Sequence, residues 1–141
     1  MVNDIIDSIA RVLKREYEHM CIYSEEVEQG FKLPCFTIKC DKIHNELFRG
    51  KRYRSVNTIS INYYSDKEDK NEDYNIVMTN LFNKLQYIEY SLGKIAGTNM
   101  EMVKEKDYCS FKFDITFFYF MEDYYEQMSK LKQEINVQKS K

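Results

Sequence analysis

The chain has 141 residues and a formal net charge of −2, from 21 basic and 23 acidic side chains. That length fits one domain, which buries about two thirds of its unfolded surface without a metal or disulfide staple. A composition of 43% apolar and 31% charged residues excludes a disordered chain, and the balanced charge argues against gripping a nucleic-acid backbone by bulk charge.

No apolar run approaches the length of a membrane span. Asp4 and Asp7 stand where a signal peptide carries bases, so a soluble protein made in the cytoplasm is expected. Ile5, Ile6, Ile9, Val12, Leu13, Tyr17 and Met20 recur at helical spacing and predict an amphipathic helix over 3–20, capped by Asn3 or Asp4. Alternation through Cys21, Tyr23, Glu25 and Val27 predicts a strand over 21–29, ended by Gly30. Pro34 lacks an N–H and suits the start of a strand over 34–40, with Phe36, Ile38 and Cys40 on one face. The polar stretch 41–51 reads as a connection. A longer strand over 52–64 places Tyr53, Ser55, Asn57, Ile59, Ile61 and Tyr63 on one side.

Residues 65–73 form the most charged segment and read as a solvated loop leading into a helix, where acids favour the helix N-terminus. It has neither the ligand spacing nor the central glycine of a calcium loop. Tyr74, Val77, Met78, Leu81, Leu85 and Ile88 predict a helix over 73–90. Strands over 94–106 and 108–121 form a hairpin around Lys106-Asp107. In the second arm Cys109, Phe111, Phe113, Ile115, Phe117, Tyr119 and Met121 share one face, but Phe118 and Phe120 make the other face apolar too. Its end is therefore expected to be covered, either by the chain's own helix or by another subunit. A narrow stripe of Tyr125, Met128, Leu131 and Ile135 predicts a C-terminal helix over 122–136, then a frayed tail.

The order αβββαββα describes one α+β domain over 1–121, a largely antiparallel sheet flanked by two main helices, followed by the C-terminal segment 122–141. Its core is expected to hold Ile9, Leu13, Phe36, Ile59, Ile61, Leu81, Leu85, Phe113 and Ile115. With 4 Gly and 1 Pro the elements are long and regular, unlike a loop-built enzyme cleft. The 12 Tyr and 9 Phe suit a subunit interface, and equally a tyrosine-rich core and strand surface.

Chemistry-bearing motifs are sparse. Cys21, Cys35, Cys40 and Cys109 include no CxxC pair. Cys35, Cys40 and His44 superficially suggest a metal tripod, but strand alternation points residues 35 and 40 to opposite faces. Neither His19 nor His44 sits in a recognisable nucleophile motif, and no phosphate-binding glycine loop is present. No catalytic residue, cofactor or metal is expected.

Several segments together resemble the phage tail terminator family of phages, prophages and phage tail-like (bacteriocin-like) particles of low-GC Gram-positive bacteria. They are Tyr23-Ser24-Glu25-Glu26-Val27-Glu28-Gln29-Gly30 with Leu33-Pro34-Cys35-Phe36, then Arg52-Tyr53-Arg54, Ile61-Asn62-Tyr63-Tyr64 and Glu68-Asp69-Lys70-Asn71-Glu72. Tyr87-Ile88-Glu89-Tyr90, Gly97-Thr98-Asn99-Met100 and the aromatic strand from Phe111 to Phe120 follow in order. The resemblance covers roughly residues 1–121 and includes no catalytic signature.

It implies a small virion protein that assembles as a ring, commonly a hexamer, on the head-proximal end of a tail tube. The ring ends tube polymerisation and offers a surface for joining the head. Implied partners are other copies of the chain, the tail tube protein, and sheath and neck or connector proteins. DNA would pass through without specific binding, and no membrane is involved. Other readings are a different neck or tail-completion protein, or a small ligand-binding or regulatory domain.

On this reading Phe117, Phe118, Tyr119, Phe120, Tyr124 and Tyr125 are candidates for the ring interface. The acidic loops with Glu25, Glu26, Glu28, Asp66, Glu68 and Asp69 are candidates to face the lumen or the tube, where negative walls repel passing phosphates. The plain alternative is that these are ordinary solvated loops.

Overall fold

The computed structural model describes residues 2–23, 32–91 and 93–120. The element order is α1 (Val2–Glu16), β1 (Cys21–Tyr23), β2 (Cys35–Arg49), β3 (Arg52–Tyr64), α2 (Lys70–Lys84), β4 (Tyr87–Tyr90), β5 (Gly93–Lys104) and β6 (Cys109–Phe120). The six strands form one sheet in the order β1-β2-β3-β6-β5-β4. The chain divides into two compact units, residues 1–43 with 57–116 and residues 44–56 with 117–141. Strands β2, β3 and β6 each contribute to both.

The first unit holds the core. On α1, Ile5, Ile9 and Leu13 are buried, one turn apart, and Ser8 satisfies its hydroxyl on the Asp4 carbonyl at 2.9 Å. This face packs against β4 and β1. On β3 the odd-numbered residues Asn57, Ile59, Ile61 and Tyr63 are buried, and on β6 Cys109, Phe111, Phe113 and Ile115. All nine residues expected in the core are buried.

Pairing is mostly antiparallel. Thr58 meets Asp114 and Tyr64 meets Tyr108, so residue numbers rise on β3 as they fall on β6. Strands β4 with β5, and β5 with β6, are antiparallel hairpins. The exception is β1, which runs parallel to β2 with Cys21 opposite Cys35.

Three expectations need correction. The stretch 41–51 is no connection, because β2 runs on to Arg49 and turns tightly at Gly50 (φ 58°) into β3. Most side chains of this part of β2 are exposed on both faces, and a strand wet on both faces shows no apolar alternation.

The helix expected over 73–90 begins earlier, with Asp69 as its N-cap, and ends at Lys84. Residues 87–90 form strand β4 instead. Ile88 is buried in either geometry and so satisfied the helical stripe, but Tyr87 and Glu89 are exposed on either side of it, at period two. The cross-strand partners Lys94 to Ala96 decide for the strand.

The segment 65–73 is not wholly solvated, since Ser65 and Asp73 are 2% and 6% exposed. The described order is thus αβββαβββ. The expected C-terminal helix and residues 24–29 of the second expected element lie outside the described residues.

Asp73 fixes the start of α2 to the end of β3. Its Oδ2 accepts from the Tyr63 hydroxyl at 2.7 Å and the Ser65 hydroxyl at 2.5 Å, and Lys67 Nζ lies 3.5 Å from Oδ1. Burial alone would raise its pKa. The hydrogen bonds from Ser65 and Tyr63, with the Lys67 charge, outweigh burial and hold the carboxyl below its ordinary value. Burial, and then the bond to Asp73, push the Tyr63 phenol well above its ordinary value.

Candidate functional site

The second unit is built differently. Its described part consists of the β2–β3 turn region and the end of β6, and three of its aromatic side chains lie about half in solvent. Phe48, Phe118 and Phe120 are 50%, 45% and 56% exposed. The rings of Phe48 and Phe118 meet edge to face at 5.2 Å, and the Arg52 guanidinium lies 4.5 Å from the centre of the Phe118 ring. Tyr53 and Tyr119 stack at 5.6 Å with their planes 15° apart. Arg54 pairs with Glu46, which also faces His44 at 3.5 Å. Exposed aromatic rings with an arginine beside them suit a protein contact surface.

Of the residues singled out for a ring interface, Phe117 is 6% exposed and buried, Phe118 and Phe120 are exposed, and Tyr119 is half-buried on Tyr53. Tyr124 and Tyr125 lie outside the described residues. Sequence reasoning misses Phe48 because residues 41–51 read as a connection, and it places Arg52 on a strand without giving it a role. The signal for Phe48 is the pair Leu47-Phe48 in a largely polar run.

Among the acidic loop residues, Asp66, Glu68 and Asp69 are exposed. Asp69 is occupied as a cap, accepting from the Glu72 N–H at 3.2 Å. Glu25, Glu26 and Glu28 lie outside the described residues.

The Gly97-Thr98-Asn99-Met100 motif has a structural explanation. Gly97 donates its N–H to the Gln86 carbonyl at 3.1 Å, and a Cβ there would come within 3.1 Å of the Leu85 carbonyl oxygen and the Phe113 ring. Asn99 takes a positive φ of 52° at a bulge, and its side chain donates to Asp114 at 3.0 Å. Thr58 donates to the other Asp114 oxygen at 2.8 Å.

Three of the cysteines are poorly suited to chemistry. Burial pushes the Cys35 thiol up to about 11, so it carries almost no thiolate at neutral pH. Cys40 and Cys109 are also raised by burial. Among the described residues, no three His, Cys, Asp or Glu side chains converge in a metal-binding arrangement. No helix of the described residues is long and apolar enough to cross a membrane.

No curated protein matches the chain. A family described as phage tail terminator protein matches residues 4–127, a span that takes in most of α1, the whole sheet and most of both units. A sheet with a buried face and a solvent-facing aromatic end suits a tail component that contacts other proteins, and the match over most of its length places this chain in the phage tail terminator family.

Proposed function

We propose that the protein caps the head-proximal end of a phage or phage tail-like tail tube as a homo-oligomeric ring of six copies, ending tube polymerisation and presenting the head-joining surface. The observation that carries this reading is the exposed aromatic end of β6. Phe118 and Phe120, with Phe48 beside Phe118, are apolar surface that a monomer gains nothing by leaving in water. A ring covers such surface on every copy, because unlike faces meet head to tail until rotation closes the circle.

Family membership supports the tail role. The depressed reactivity of the buried thiols fits a structural rather than a catalytic part. The exposed Asp66 and Glu68 suit a wall that passing DNA does not adhere to, and Glu25, Glu26 and Glu28 extend the same proposal. The tube protein and the neck or connector, with a sheath where the tail is contractile, are the partners on this reading.

Electron microscopy of particles made with and without the gene for this chain tests the proposal. Six copies at the head-proximal end of the tube, and tubes of unregulated length lacking heads when the chain is absent, are expected. A single copy per tail, or tails of normal length and normal joining without the chain, would overturn it.

A further inference from the structure

Two cysteines meet at one point of the sheet. Strands β1 and β2 run parallel, and Cys21 stands opposite Cys35 in their register. Residues paired across neighbouring strands point to the same face, and such strands lie about 4.8 Å apart. That spacing falls inside the window of roughly 4.4–6.8 Å between Cα atoms that a disulfide spans. Both cysteines are free thiols. Burial raises the Cys35 thiol first, and the charge of Cys21 adds to it, which requires the two sulfurs to be near each other.

The other two cysteines lack such a neighbour. Cys40 lies on β2 beyond Thr37, the last residue paired with β1, and its Sγ donates to the Lys42 carbonyl at 3.6 Å. Cys109 is on β6, which β3 separates from β2.

Exposure gives the pair unlike roles. Cys21 is half-buried on the strand that ends the described sheet, where a small oxidant can reach it. Cys35 is 0% exposed and stays a thiol at neutral pH, so it meets only the sulfur beside it.

We propose that Cys21 and Cys35 form an oxidative modification site, joined by hydrogen peroxide into an intramolecular disulfide that ties β1 to β2. The Cys21 thiolate attacks one peroxide oxygen, the O–O bond breaks and hydroxide leaves, giving a sulfenic acid. The Cys35 sulfur then attacks the Cys21 sulfur. The S–O bond breaks, and the departing hydroxide takes up the Cys35 proton as water. Two thiols are oxidised, and one peroxide is reduced to two waters. Proximity makes up for the scarcity of Cys35 thiolate. The bridge restricts the unfolded chain between residues 21 and 35 and so stabilises the fold. It forms within one copy and does not depend on the ring.

Peptide mapping of the full-length chain, exposed to peroxide without denaturant, tests the site. Trypsin cuts after Arg15, Lys32 and Lys39, which puts Cys21 and Cys35 on separate peptides. A peptide over 16–32 joined to one over 33–39, and parted by reductant, is expected. The thermal midpoint should rise by roughly 5 °C or more on oxidation and fall back with reductant. In Cys35→Ala, Cys21 should stop at the sulfenic acid and be trapped by dimedone.

Cys21 and Cys35 both open to alkylation after peroxide would overturn the proposal. So would a Cys21 oxidised to sulfinic acid without joining Cys35, or bridged instead to another cysteine or a second copy. A Cys21–Cys35 bridge that leaves the thermal midpoint unmoved would overturn the tie between the strands.

Discussion

Strand β6 passes through both compact units, and its two stretches differ. In the first, Phe111, Phe113 and Ile115 are at most 3% exposed, and from Lys112 on they alternate with wetter neighbours. In the second, Phe118 and Phe120 are 45% and 56% exposed, with a buried Phe117 before them. Strand β2 divides the same way, from the buried run Cys35 to Ile38 to the largely exposed stretch His44 to Arg49. The same residue type thus does two jobs on one strand. Where the sheet is covered, phenylalanine stabilises the chain, and where it is bare, phenylalanine is available to another molecule.

Substitution separates those jobs. Phe113→Ala removes a ring that is 1% exposed and is expected to destabilise the chain by about 3–5 kcal/mol in urea unfolding. Phe118→Ala in the same assay should stay within about 1 kcal/mol of wild type, because the residue is already half in solvent. Equal losses at the two positions would erase the distinction between the stretches.

A second contrast sets the buried carboxylate of the first unit against exposed ones such as Glu68. Asp73→Ala strips the acceptor from Tyr63 and Ser65, and a loss of about 2–3 kcal/mol is expected. The pH dependence has a definite sign. The folded carboxyl titrates below its ordinary value, so the unfolded chain binds more protons in the intervening range. The contribution of Asp73 is therefore present above the ordinary carboxylate pKa of about 4 and is lost as pH falls through the lower folded value. Unfolding curves of wild type and Asp73→Ala should converge toward acid. Glu68→Ala, at an exposed position, should change stability by no more than about 0.5 kcal/mol.

The smallest effect sharpens the contrast within glycines. Gly97→Ala would set a methyl against the Leu85 carbonyl and the Phe113 ring, at an expected loss of about 1–3 kcal/mol by thermal unfolding. The added methyl at Gly50 meets nothing within 4 Å, so any loss there comes from its positive φ alone.

The covered region was the legible one. Odd-numbered burial on β3 and β6 is legible from the alternation of apolar with polar residues, although on β3 the even-numbered Ser60 and Asn62 are buried as well. The sequence puts the start of α2 too late because Asp73 reads as a solvated charge, and nothing local shows that Tyr63, ten positions earlier, donates to it. The bare hairpin was illegible for the opposite reason. With water on both sides, selection for alternation vanishes, and Leu47-Phe48 looks like noise in a polar run. Of the candidate surface, the sequence reveals the aromatic strand end, whereas the roles of its companions Phe48 and Arg52 depend on tertiary neighbours.

The bulge at Asn99 changes what counting along β5 means. Before it, Gly97 stands opposite Ile115; after it, Met102 stands opposite Phe111. Both partners belong to the buried face of β6, yet Gly97 and Met102 are an odd number of residues apart. One extra residue has moved the strand into a second phase, so even-numbered side chains now face where odd-numbered ones did. Within β5, chain length is therefore negotiable at the bulge. Losing a residue at the bulge would return the strand to regular pairing with Glu101 to Lys104 still seated, whereas losing one at Met102 would turn the preceding or following side chains inside out. Insertions and deletions among relatives should gather at that point of β5 and avoid its flanks.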